Sequence, residues 1–132
     1  MGFTLHPRLA ADTVLVGDFE LCRVLLMNDA RYPWLILVPR RDALREVHHL
    51  RPADRIALME ESCRVAEAMQ GLFTPDKLNI GVLGNIVPQL HVHHIARFTT
   101  DPAWPGPVWG HSPALPYADD VRLTQLRGNL GF

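Results

Sequence analysis

The chemistry of this chain is concentrated in one stretch, Val87-Pro88-Gln89-Leu90-His91-Val92-His93-His94-Ile95-Ala96-Arg97. On a strand, side chains alternate between faces, so Gln89, His91 and His93 share one face, with neighbours about 6–7 Å apart at ~3.3 Å rise per residue. Leu90, Val92 and His94 point the other way. Placing two imidazoles and an amide in a row on an otherwise apolar strand is costly unless the groups are paired or used. A neutral imidazole, with an ordinary pKa near ~6.5, is an available nucleophile at neutral pH. Glutamine stays neutral at every pH yet both donates and accepts hydrogen bonds.

Two other uses of the same residues compete with nucleophilic chemistry. His-x-His on a strand can chelate zinc or copper, but such a site needs further ligands. His6, His48, His49 and His111 stand at no recognisable spacing from the pair, so no native metal and no cofactor are expected. The remaining alternative is a pair of satisfied, partly buried histidines with no chemical role.

The elements that must position this stretch can be read from pattern. Thr13 to Val16 and Glu20 to Met27 read as strands joined at Gly17-Asp18, a hairpin signal. The apolar run Trp34 to Val38, stopped by Pro39, reads as a central strand buried on both faces. A long helix begins near Pro52, which suits a first helical position. Its apolar stripe is Ile56, Met59, Cys63 and Ala66, and Gly71 is a plausible stop. Leu78 to Leu83 and Leu90 to Phe98 read as two more strands, connected by Gly84-Asn85-Ile86-Val87-Pro88. Beyond Phe98, Pro102, Pro105, Pro107, Pro113 and Pro116 alternate with Trp104, Trp109 and His111, a composition that excludes regular helix or central strand. Asp119 to Arg127 reads as a short closing helix. Strands, one long helix, then strands imply an α+β fold with a mostly antiparallel five-stranded sheet. The chain is expected to be a single domain over 1–132, with a core of about 12–98 and a Pro/Trp-rich C-terminal extension, 99–132.

With these residues in view, the stretch resembles the motif of the histidine triad (HIT) superfamily, His-φ-His-φ-His-φ-φ with φ apolar. The register places Gln89 at the first histidine, His91 at the second and His93 at the third. Gly84-Asn85-Ile86-Val87 resembles the Gly-Gln-(Ser/Thr)-Val that precedes the triad in many members. A register starting at His91 would put Ile95 at the third histidine and is rejected. The similarity extends from about Leu21 to Arg97. The resemblance implies a HIT-like fold and catalytic roles for His91, His93 and Gln89. His91 would attack the α-phosphorus of a nucleotide and form a nucleotidyl-histidine. His93 would contact the phosphate and leaving oxygen, while Gln89 departs from the motif and would tune rate and pH profile. Asn85 and Asn28 would bind substrate, at the phosphates and near the ribose respectively. The resemblance also implies a purine nucleotide substrate: a dinucleoside polyphosphate, a nucleoside phosphoramidate or another adenylated compound. It implies a homodimer as well. A purine-nucleotide-binding protein without turnover is the alternative. Trp104-Pro105-Gly106-Pro107 is reminiscent of a family segment but displaced from it, and carries no assignment.

Composition bounds the rest. The chain has 132 residues, a net charge of −1, 48% hydrophobic and 20% charged residues, as in ordinary globular domains. That charge argues against a nucleic acid polymer as partner, which needs a basic face. Cys22 and Cys63 form no C-x-x-C pair and are expected to be buried reduced thiols, consistent with a cytoplasmic protein. The first eight residues do not read as a signal peptide, and no apolar run reaches the ~18 residues that span a membrane.

Overall fold

The computed structural model describes residues 2–132; Met1, the first residue of the expected domain, lies outside the described residues. The elements are α1 (Pro7–Asp12), β1 (Thr13–Asp18), β2 (Cys22–Met27), β3 (Trp34–Pro39), a 3₁₀ turn (Val47–His49), α2 (Pro52–Phe73), β4 (Lys77–Gly81), β5 (Val92–Arg97) and α3 (Val121–Leu130). The strands form one antiparallel sheet in the order β1-β2-β3-β5-β4. This is the expected α+β architecture. Helix α1 was not anticipated, and the hairpin turn falls at Phe19–Leu21 rather than Gly17-Asp18. Strands β4 and β5 are each shorter than the pattern suggests.

Both faces of the sheet are covered, which is why every residue of β3 and β5 is buried. Val24, Leu26, Leu35, Leu37, Val92 and Ala96 pack on one face against Leu58, Val65 and Met69 of α2 and Leu126 and Leu130 of α3. Each such aliphatic side chain contributes roughly 1.5–3 kcal/mol when taken out of water. On the other face, Leu25, Trp34, Ile36, Val38 and Ile95 pack against Phe3, Leu5 and Leu9 from the N-terminal segment and Ala103, Val108 and Trp109 from the Pro/Trp-rich segment. The face without the long helix is thus covered by the N-terminal segment and the Pro/Trp-rich segment.

Helix α2 corrects three expectations. Its buried residues include Leu58, Ser62, Val65 and Met69, whereas Ile56 is 67% and Met59 63% exposed. The stripe Ile56, Met59, Cys63, Ala66 therefore lies beside the core-facing one. The helix carries apolar residues on two faces, and periodicity alone does not rank them. Cys63 is consequently exposed, while Cys22 is buried as expected. Gly71 does not end the helix. The chain continues to Phe73 and turns at Thr74 (φ 46°), whose N–H donates to the Gln70 carbonyl at 3.1 Å. Arg40 and Arg41 are structural: Arg40 donates to the Phe19 and Glu20 carbonyls, and Arg41 pairs with Asp54 at 2.8 Å.

Candidate active site

Strand β5 runs antiparallel to both β3 and β4, pairing Ile36 with His93 and Gly81 with His93. Alternation then puts His91, His93 and Ile95 on the face covered by the N-terminal and Pro/Trp-rich segments, and His94 on the α2 face. His91 sits one residue before β5. It is held there partly because the Leu90 N–H donates to the Leu44 carbonyl at 2.9 Å.

Hydrogen bonding gives the two site histidines opposite senses. His91 Nδ1 lies 2.6 Å from the Gln89 carbonyl oxygen, which can only accept. The His91 proton therefore resides on Nδ1, and Nε2 carries the lone pair. His93 Nδ1 lies 3.0 Å from Trp34 Nε1, which can only donate. Neutral His93 therefore carries its proton on Nε2. The two rings stand edge to face with centroids 4.9 Å apart. Adjacent rings thus offer a lone pair on one and an N–H on the other.

The protonation states follow from burial. His91 is 6% and His93 5% exposed. Desolvation lowers the pKa of His91 despite the opposing Gln89 carbonyl, with a further push from the charge of His6. Desolvation also pushes His93 down to about 3, helped by its neighbours His91 and His94. Both rings are therefore neutral at neutral pH.

Trp109 closes the other side of His93, edge to face at 5.3 Å. It comes close because position 81 is glycine: a Cβ there would lie 3.1 Å from the Trp109 ring. The Pro/Trp-rich segment that carries Trp109 is anchored by Arg97. This guanidinium, 1% exposed, bonds Asp101 at 2.8 and 3.0 Å, Asn79 Oδ1 at 2.8 Å and the Gly106 carbonyl at 2.8 Å. Asp101 in turn accepts from the Phe98 and Trp104 N–H groups.

Next to these tryptophans is a cleft of about 500 Å³ lined by residues including Met27, Asn28, Trp34, Ile86, Val108 and Trp109. Its size and mixed apolar and polar lining suit a small organic ligand. Asn28 is half-buried there, with Oδ1 accepting from the Tyr117 N–H at 2.9 Å. Asn85 is exposed in the β4–β5 connection, next to Ile86 of the cleft wall.

The structure therefore groups His91 with His93 and puts Asn28 in the adjoining cleft. The Gln89 side chain is engaged differently from the sequence expectation. Its Oε1 accepts from the His6 N–H at 2.8 Å and its Nε2 donates to the Thr4 carbonyl at 2.9 Å, so it fastens the N-terminal segment. Trp34, Trp109 and Arg97 were not assigned from sequence as parts of the site. Trp34 could have been suspected, because an indole N–H on a strand otherwise aliphatic needs a partner. His94 is used structurally: Nδ1 is 3.2 Å from the Val92 carbonyl and Nε2 is 2.7 Å from Ser62 Oγ. Among the described residues, no group of three or more His, Cys, Asp or Glu side chains is arranged to hold a metal ion.

An antiparallel α+β sheet with two neutral histidines of opposite polarity, one just before β5 and one within it, defines a histidine-site domain. The HIT domain family matches residues 8–100, and the chain belongs to that family. Solved structures agree. A histidine triad protein from Marinobacter aquaeolei VT8 superposes with TM-score 0.95 at 48% identity, covering 99% of this chain and 98% of its own. One from Bradyrhizobium japonicum gives 0.94 at 46%, covering 99% and 97%. One from Sinorhizobium meliloti 1021 gives 0.92 at 46%, covering 98% and 95%. No curated protein matches the chain.

Proposed function

We propose that this protein hydrolyses or transfers nucleoside monophosphate groups at the α-phosphate of dinucleoside polyphosphates, nucleoside phosphoramidates or related adenylated compounds. The observation that carries this reading is the fixed tautomer of His91, whose ring packs edge to face with that of His93 and keeps its lone pair on Nε2. In the first step a bond forms between His91 Nε2 and the α-phosphorus as the bond to the leaving group breaks, an oxygen departing as its anion and an amine nitrogen taking up a proton from solvent as it departs. His93 Nε2–H donates to a phosphate or leaving-group atom. Water then attacks the phosphorus and the P–N bond breaks. His91 departs neutral, one water proton stays on the monophosphate, and the other goes to solvent. Splitting one displacement into two is the gain of covalent catalysis.

Asn28 would offer its side-chain N–H₂ to the ribose hydroxyls, since Oδ1 is already engaged. Asn85 would contact the phosphates. Purified protein should turn over a fluorogenic adenylate phosphoramidate, and activity should survive strong chelation. A stoichiometric metal required for turnover would overturn the mechanism, and nucleotide binding without any turnover would favour a binding protein.

A homodimer is part of the same proposal. Strand β4 lies at the sheet edge. Beside it Val47, Met59, Ala66, Ile80 and Val82 line an apolar groove, with Met59 63% and Ile80 51% exposed. Edge strands with apolar flanks invite pairing with another chain. Sedimentation should give twice the chain mass at micromolar concentration. No helix of the described residues is long and apolar enough to cross a membrane.

A further inference from the structure

We propose that His6 is a third substrate-contacting histidine of this site, delivered by the side chain of Gln89 and acting on the phosphate chain beyond the α-phosphorus. The inference rests on the functional reading above but concerns residues outside the central strand.

Three observations converge on it. Gln89 spends both ends of its amide on residues 4 to 6, accepting from the His6 N–H and donating to the Thr4 carbonyl. Gln89 is also the residue whose carbonyl orients the nucleophile, so one residue ties His6 to His91. Second, the His6 ring has a defined polarity. Its Nδ1 accepts from the Arg8 N–H at 3.1 Å, which leaves the proton of the neutral ring on Nε2. Third, the His6 ring is only partly buried and lies near enough to His91 to act on it electrostatically.

The chemistry needed at that place is hydrogen-bond donation. When His91 attacks, negative charge builds on the departing phosphate chain. His93 Nε2–H serves the reacting phosphoryl group, and Trp34 and Trp109 pack against the rest of its ring. Gln89 precedes His91 on the chain as His93 follows it, so a donor held by the Gln89 side chain would complete the cradle from the other flank. His6 Nε2–H supplies it without a proton transfer, because a phosphate leaving group departs as an anion. In this arrangement His6 touches substrate and Gln89 is a positioning residue.

The assay compares a dinucleoside triphosphate with a nucleoside monophosphate aryl ester, whose leaving group has no further phosphate. In His6→Ala, kcat/KM for the triphosphate should fall about tenfold to a hundredfold, less than the ~10²–10³ lost with a buried oxyanion donor. The aryl ester should fall less than about threefold. His6→Gln should recover part of the loss, since its amide also donates. Gln89→Ala should show the same substrate bias, and the double variant should be no worse than the worse single one. Independently, titration of wild-type protein with ADP should shift the His6 ring resonances in NMR spectra. Equal kinetics of His6→Ala and wild type on both substrates would overturn the proposal while leaving the His91 reaction intact. So would an unshifted His6 ring beside a shifted His93 ring. A wild type that turns over neither substrate would instead count against the functional reading, and the ADP titration would then decide the His6 contact alone.

Discussion

Trp34 Nε1 donates to His93 Nδ1 across 3.0 Å, and this bond decides what His93 can do. It holds the neutral ring with its proton on Nε2. A second proton would set two donors face to face, so the indole and burial both oppose the imidazolium. Trp34→Phe removes the donor while keeping an aromatic ring. It should lower kcat about tenfold, within the range of one positioned catalytic hydrogen bond, with a smaller change in KM. Nitrogen-15 shifts of His93 should move from one tautomer towards a mixture. An unchanged tautomer in Trp34→Phe would show that the indole is only packing.

Acid should begin to weaken the fold through its buried histidines, starting near pH ~6.5. Burial pushes His93 to about 3 and His94 to about 4, whereas an unfolded histidine titrates near ~6.5. Between about 6.5 and 4 the unfolded chain binds protons that the folded chain refuses. Stability therefore falls with falling pH by up to about 1.4 kcal/mol per unit per ring. Asp54 acts in the same direction but in a lower pH window. Its bond with Arg41 holds it below the ordinary carboxylate range, so its contribution is present above ~4 and is lost only as pH drops further. Urea midpoints taken at several values from pH 7 to 4.5 should fall, and His94→Asn should lose one ring's share of that slope. A flat profile would contradict the buried neutral state of both rings.

The Pro/Trp-rich segment owes its place to Arg97 and Asp101, which are 2% and 3% exposed in their side chains. Asp101→Asn leaves the buried guanidinium without its charge partner, a change that typically costs about 3–5 kcal/mol. Because this hub holds the loop carrying Trp109, tryptophan fluorescence should change along with the melting temperature. Turnover should drop even in molecules that remain folded. If the variant melts like wild type, the ion pair is not what anchors the segment.

How far the molecule was legible from its residues can be traced along particular side chains. The run Trp34 to Val38 declared a two-sided central strand, because an unbroken apolar strand has nowhere else to go. The alternation of His91 and His93 likewise fixed their shared face and sent His94 to the other. Helix α2 was readable in type but not in orientation, since Ile56 and Met59 are as apolar as Leu58 and Val65. Only the tertiary packing decides which stripe meets the sheet. Gln89 was read through its neighbours in sequence, yet its partners are Thr4 and His6, 85 and 83 residues away. Likewise, Arg97 finds Gly106 across a proline-broken loop that has no periodicity to read. Long-range hydrogen bonds of this kind leave no local pattern.

His91 carries the bond-forming atom in the proposed reaction. Its Nε2 alone in the pair has a free lone pair, because the Gln89 carbonyl claims the proton at Nδ1 and Trp34 claims the acceptor of His93. His91→Ala should lower kcat by orders of magnitude with little change in nucleotide affinity, since the lost interaction belongs to the chemical step. His93→Ala should cost less, because it removes a donor rather than the bond-forming atom. His94→Ala should leave the chemical step nearly untouched. It should nonetheless destabilise the fold by about 1–3 kcal/mol, as Ser62 and the Val92 carbonyl lose their buried partner. The pH profile of kcat/KM should carry an acid limb below ~6.5, because burial lowers His91 and activity is lost only when that ring is protonated. Acid quenching during turnover of a radiolabelled adenylated substrate should trap nucleotide on the peptide containing His91. The same peptide carries His93 and His94, so fragmentation must place the label. A label on His94, or an inactive His94→Ala that is still folded, would show that β5 presents its other face to the substrate.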